Sequence, residues 1–309
     1  TNVPVEWDQS KNVVWKESLA GQGWSSPVLS AGRIYLTSAV PLNDAEKPDL
    51  SLQTVCLDQK DGKVVWAKQV FQAAGAASPK IHSKNSPASP TPVVDNGRVY
   101  VHFGHQGTAC LSLEGKILWR NDTLSYKPVH GNGGSPVLHG GKLFFSIDGA
   151  QQTAVIALNA DDGSVAWRTE RKSDAPRKFS FTTPAIIEVD GKPQLISPAS
   201  NVVHALNPTN GDILWFARYD GYSVIPRPVY GNGLVYICTG YNTPSLLAIR
   251  PTGKGDVTET HIAWTVKKGI PHTPSLMLVK EELYMVSDRG IASCLNALSG
   301  ESYWQHRIG

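Results

Sequence analysis

One short phrase, written five times, constrains this chain more than anything else in it: Ala or Cys, Leu, a polar turn, Gly, three residues and Trp. The copies run from Cys56-Leu57 through Gly62 to Trp66, Cys110-Leu111 through Gly115 to Trp119, Ala157-Leu158 through Gly163 to Trp167, Ala205-Leu206 through Gly211 to Trp215, and Cys294-Leu295 through Gly300 to Trp304. A degenerate copy ends at Trp264, and Trp15 closes a lone leading one. A spacing of ~40–50 residues is that of a supersecondary unit which buries its apolar faces only by stacking on its neighbours.

Two more apolar runs precede each Trp in register, such as Val93-Val94 then Val99-Tyr100-Val101, or Val137-Leu138 then Leu143-Phe144-Phe145. They are short, β-branched or aromatic, and bounded by Gly, Asn and Asp, which predicts strands. No stretch sustains a 3.6-residue period, so a helical fold is excluded. Each unit reads as four strands, a to d, with the Leu on c and the Trp on d. Asn96-Gly97, Gly140-Gly141 and Asn232-Gly233 suit the positive φ of tight a-to-b hairpins, and Asp61-Gly62, Asp162-Gly163 and Asn210-Gly211 are expected to work the same way between c and d. Four-stranded antiparallel blades repeated at this spacing predict an all-β fold, a β-propeller of six complete blades with Trp rings filling the wedges between them. A d-type strand around Val13 to Trp15 is expected to join a closing blade whose inner strands are not in this sequence. The full ring is then expected to have seven or eight blades.

With 309 residues, 41% hydrophobic and 18% charged, one propeller domain over 1–309 has ample core, and it is expected to be truncated at its C-terminal end. The net charge of +3 is small and dispersed, which argues against nucleic acid as a partner. No apolar run is long enough to span a bilayer, and the first residues do not read as a signal peptide. Cys56, Cys110 and Cys294 hold the place that Ala157 and Ala205 hold in other repeats, so they read as small buried hydrophobes; with Cys238 on a strand b, four free thiols are expected.

In a propeller the d-to-a connections between blades and the b-to-c loops within them emerge on one face. The connections bring His82, Lys84 and Asn85, then His130 and Asn132, Arg177 and Lys178, Tyr222 and Arg227, and His272 to that rim, and the loops add His105, Asp288 and Arg289. Trp24, in the first connection, is the one Trp outside the staple pattern that merits attention. The rim is cationic and rich in donors, as a funnel receiving an anionic or multiply hydroxylated ligand would be, although loop residues are also polar simply because they are wet. His102 and His105 fall on opposite faces of a strand, which speaks against a metal pair. No nucleophile elbow or phosphate-cradling Gly loop is legible, and paired catalytic carboxylates cannot be argued.

The phrase Ala/Cys-Leu-Asp/Asn, turn, Gly-x-x-x-Trp resembles the repeat of the pyrroloquinoline-quinone-like (PQQ-like) β-propellers, and the likeness covers nearly the whole chain. The connections at 84–92, 130–136, 222–228 and 271–275 are similar to those of a bacterial branch of mostly exported proteins. The resemblance implies a periplasmic or extracellular place and one of two roles. The first, expected here, is a non-catalytic propeller without cofactor that binds an anionic or carbohydrate ligand or a protein partner at its funnel, in the manner of the scaffold propeller of the outer-membrane β-barrel assembly machinery. The alternative is a PQQ-dependent quinoprotein dehydrogenase oxidising an alcohol or sugar, with calcium, in which Lys84, Arg177, Arg227 and Arg289 would pair the quinone carboxylates and Asp148 or Asp288 would serve as base. The adjacent Cys pair and calcium constellation of that type are not found in the sequence. A third option is scaffolding through exposed strand edges.

Overall fold

The computed structural model describes residues 3–75 and 80–308. They form a β-propeller of six blades, spanning 28–73, 93–121, 137–170, 185–218, 229–266 and 277–307, here blades I to VI. Each is an antiparallel sheet in the order a-b-c-d; blade I, for example, comprises Val28–Ser30, Arg33–Pro41, Leu50–Asp58 and Val64–Ala73. The described helices are a turn of 3-10 helix at Gly104–Gln106 and four residues at Thr258–His261.

The two sorts of hairpin differ in a way that the sequence does not show. Between a and b, Asn96 and Gly97 both have positive φ (45° and 75°), the two-residue turn whose twist matches the strands. Between c and d only the Gly is left-handed, as at Gly62 (φ 74°), and its N–H closes onto the Asp58 carbonyl at 2.9 Å. The polar residue after the motif Leu shapes this turn by accepting from the backbone two positions on: Asp58 from Lys60, Asn207 from Thr209, Asn296 from Leu298.

Register explains the rest of the motif. In every blade the small residue on c lies directly opposite the Trp on d, as in Cys110↔Trp119 and Ala157↔Trp167, and a bulge follows at once. The same small residue pairs on its other side with a large one on b, Tyr100 or Phe144, so that ring and Trp meet across it at 6.2 and 5.7 Å. Only Ala or Cys leaves that passage open. The bulge re-aims the Trp toward the next blade. There its ring lies over the motif Gly: a Cβ on Gly163 would stand 2.4 Å from Trp119 Cε3, and one on Gly211 2.7 Å from the Trp167 ring. Nε1 completes the staple by donating to a carbonyl of that blade, Trp66 to Leu113 at 2.9 Å, Trp119 to Ala160 at 2.9 Å and Trp167 to Pro208 at 3.1 Å.

Two places depart from the pattern. Trp215 is fully buried but bonds Gln194 Oε1 of its own blade at 2.8 Å, because the c-to-d connection of blade V lacks the short Gly turn. That connection instead lays Gly255–Asp256 as a parallel fifth strand along Ile213–Arg218 of blade IV. The expected leading strand at Val13 to Trp15 is a correction: these residues are not hydrogen-bonded as a strand, since among the described residues no c strand lies beside them. Trp15 nevertheless seats on Gly62 and donates to the Gln59 carbonyl at 2.9 Å. All four cysteines are buried and free.

Two buried histidines tie stability to pH. His102 stacks on Phe145 at 4.3 Å with Nδ1 2.8 Å from Thr108 Oγ1, and His204 accepts the Lys172 N–H at 3.4 Å. Burial, aided by His105, pushes His102 down to about 3; burial, aided by Arg171, Lys172 and Arg218, does the same to His204. The unfolded chain therefore takes up protons first, and stability is lost as pH falls from about 6.5 toward 3. Lowering pH from 7 to 5 should remove up to about 2 kcal/mol per histidine, read from urea midpoints, and His102→Gln should roughly halve the slope. A flat profile between pH 7 and 5 would contradict it.

Candidate functional site

In five of the six blades a Ser or Thr stands two residues before strand a, and these residues hand a hydrogen bond from blade to blade. Ser26 N–H donates to Thr91 Oγ1 (3.0 Å), Thr91 N–H to Ser135 Oγ (2.9 Å) and Ser135 N–H to Thr183 Oγ1 (2.9 Å). In blade V the position is taken by Arg227, whose N–H donates to Ser275 Oγ of blade VI at 3.1 Å. Just outside this girdle the connections enclose a cavity of about 490 Å³ lined by Trp24, His82, Lys84, Asn85, Ser89, His130, Gly133, Arg177, Phe179, Phe181, Tyr222, Ser223, Ile225, Tyr241 and Thr273. Four connections and one b-to-c loop supply most of this wall, so residues ~50 positions apart in sequence meet there.

The wall is an arc of rings. His82 meets His130 edge to face at 5.4 Å, His130 meets Phe179 at 5.4 Å, Phe179 meets Tyr222 at 5.8 Å, and Tyr241 follows at 6.2 Å with His272 beyond it at 4.6 Å. Arg177 lies over the Tyr222 ring, its Cζ 4.7 Å from the centroid, and donates to the Tyr222 hydroxyl. At the other end the Lys84 N–H donates to His82 Nδ1 at 3.0 Å, which fixes that ring. Asn85 ties two connections, donating to the His130 carbonyl at 3.0 Å and accepting from Ser89 Oγ at 2.6 Å. Burial and the neighbouring His82 lower His130 from the ordinary histidine value. No carboxylate lines the cavity, and neither Lys84 nor Arg177 has an acidic partner among the described residues.

Beneath Phe179 and Phe181 the loop is anchored by a buried ion pair. Ser180 donates to Asp148 Oδ2, and Arg171 Nε donates to Asp148 Oδ1 at 2.7 Å, with both charged side chains essentially inaccessible.

Residues 51–306 match the family described as outer membrane protein assembly factor BamB. The chain belongs to that family. BamB of Salmonella typhimurium (strain LT2) is 24% identical over 179 residues, which cover 58% of this chain and 41% of that protein. A polyvinylalcohol dehydrogenase of Pseudomonas sp is 25% identical over 184 residues, covering 54% of this chain and 26% of that one. The chain thus matches less than half the length of these curated relatives. The crystal structure of BamB from Moraxella catarrhalis shares the fold, with a TM-score of 0.63 over 96% of this chain and 77% of that one at 13% identity.

Within this BamB-family propeller, six residues expected at the rim line the cavity: His82, Lys84, Asn85, His130, Arg177 and Tyr222. Asn132 and His105 form a layer below it, 3.1 Å apart, with Tyr126 donating to Asn132 Oδ1 at 2.6 Å. His272 reaches the arc only through Tyr241. Asp288 is spent on local structure: it accepts the His272 N–H at 2.6 Å and the Thr273 hydroxyl. Burial alone would raise its carboxyl, but these hydrogen bonds win and hold it below the usual range. Lys178, Arg227 and Arg289 do not line the cavity. Phe179, Phe181, Tyr241 and Ser223 do; Tyr241 lies in a b-to-c loop expected on this face, and the signal for the two Phe is the alternation Phe179-Ser180-Phe181 inside a connection, where apolar rings have no core to fill.

The two base candidates of the dehydrogenase alternative are engaged by their own surroundings. Asp148 has both oxygens committed to Arg171 and Ser180, Asp288 has both committed to its own loop, and the four cysteines sit on strands b and c away from the cavity. No group of three metal-ligating side chains occurs among the described residues.

Proposed function

We propose that this chain is a non-catalytic capture propeller whose funnel binds an anionic or polyhydroxylated ligand. One observation carries the reading: two cations without acidic partners, Lys84 and Arg177, stand on a wall of aromatic and hydroxyl-bearing side chains that encloses about 490 Å³ and contains no carboxylate. A cavity of that size suits a small ligand, and unpaired cations supply the specificity that rings alone lack. A protein partner presenting carboxylates would use the same groups, and the name of the Salmonella relative, an assembly factor, keeps a protein partner in view. Family membership supports an exported, periplasmic location, and no helix among the described residues is long and apolar enough to cross a membrane.

Trp24, 56% exposed at the cavity wall, gives a direct readout. Titrating citrate and short oligosaccharides should change its emission, and the double variant Lys84→Ala, Arg177→Ala should weaken capture of the anionic members by about tenfold or more without moving the urea midpoint. Undiminished capture by the double variant would remove the funnel as the site.

A further inference from the structure

We infer that the funnel's ligand is an acidic oligosaccharide, a short run of sugar rings laid along the aromatic arc with its carboxylates held by Lys84 at one end and Arg177 at the other. This rests on the capture reading and narrows it. Three features of the wall point to sugar rather than peptide.

The first is the spacing of the cations. The Lys84 backbone N–H bonds the His82 ring and Arg177 stacks on Tyr222; between His82 and Tyr222 lie His130 and Phe179, so the two cations are carried at opposite ends of the arc. A chain with one carboxylate on each of several rings can engage both ends of the arc at once. The second is that the wall has spent its backbone. Tyr222 and Tyr241 exchange both N–H···O bonds (3.0 and 2.9 Å), His82 N–H donates to the His130 carbonyl (3.2 Å), Ser223 N–H to Phe179 (3.1 Å) and Phe181 N–H to Val224 (2.8 Å). A peptide that adds to a protein as a strand needs free backbone edges, and the pocket offers none along these pairs. What it does offer is ring faces, the second N–H of the Asn85 amide and the Ser223 hydroxyl, with the Thr273 hydroxyl, which donates to Asp288, left to accept; these suit the apolar face and the hydroxyls of a sugar. The third is charge balance: with no carboxylate in the lining, an acidic sugar is favoured over its neutral counterpart at every point of the wall.

The test is calorimetric titration with trigalacturonic acid, maltotriose, triglutamate and citrate at low and high salt. Trigalacturonic acid is expected to bind about tenfold or more tightly than maltotriose or triglutamate, with that advantage shrinking as salt rises. Lys84→Ala and Arg177→Ala should each remove about a tenfold share of its affinity and weaken maltotriose by a smaller factor, while Phe179→Ala should weaken both sugars alike. Triglutamate binding as tightly as trigalacturonic acid would replace the sugar with an acidic peptide, and equal affinity for maltotriose would remove the acidic requirement. Capture of citrate alone would overturn the oligosaccharide and leave the capture reading standing; no heat with any of the four would overturn both.

Discussion

Arg171→Ala is expected to cost about 3–5 kcal/mol of folding stability, the range for removing one partner of a buried ion pair. Besides Asp148, the Arg171 guanidinium bonds the Ser197 carbonyl (3.0 Å), Ser146 Oγ (2.7 Å) and Ser197 Oγ (2.8 Å), so it joins blades III and IV at the level of the funnel floor. Its loss strands the Asp148 carboxylate, which has no solvent-accessible surface, without its counter-charge. The midpoint of urea unfolding measures the effect. Replacing both partners by apolar residues of similar volume, Arg171→Met with Asp148→Leu, should recover most of the loss, because the penalty lies in the orphaned charge rather than in the pair itself. If the single variant costs less than about 1 kcal/mol, the pair is not the anchor described. The single variant should also loosen the Phe179–Phe181 loop, which hangs on Asp148 through Ser180.

Trp119→Ala should be comparably severe, about 3–5 kcal/mol, and its contrast with Trp304→Ala is the sharper result. Trp119 is 9% exposed; its ring covers Gly163, its Nε1 holds the Ala160 carbonyl, and it packs with Leu143, Phe145 and Ile156 of the next blade. Trp304 carries the same motif, but its ring is 45% exposed, and truncation there should cost about 1 kcal/mol or less. Gly163→Ala should imitate Trp119→Ala from the other side, since its Cβ would enter the indole ring on a backbone with φ of 73°. In a stacked array each such loss weakens one inter-blade contact, so equal effects for Trp119 and Trp304 would refute the stapling account.

Much of the architecture was legible before any coordinates. The strand pattern, the blades, the stapling Trp and the small residue on strand c all follow from composition and spacing, because each is imposed within a stretch of about ten residues. What was misjudged lay one level up. Asn132 and His105 read as rim residues on a plausible topological argument, yet Tyr126 draws Asn132 into a lower layer; Asp288 reads as another rim residue, and as a base only under the dehydrogenase alternative, and it clasps a loop. The rim cations Arg227 and Arg289 could not be told from Lys84 and Arg177, since a charged residue in a connection looks the same wherever its side chain ends up.

By itself, the amino-acid order determined that this protein is a stack of Trp-stapled four-stranded blades, because a Gly seat, an Ala or Cys passage and a Trp at fixed offsets admit little else. The tertiary structure alone decided which connections bend over the axis, that rings rather than charges form most of the funnel wall, and which two cations face it unpaired. Those outcomes depend on contacts between residues some fifty positions apart, set by blade twist and loop conformation, and no local pattern encodes them.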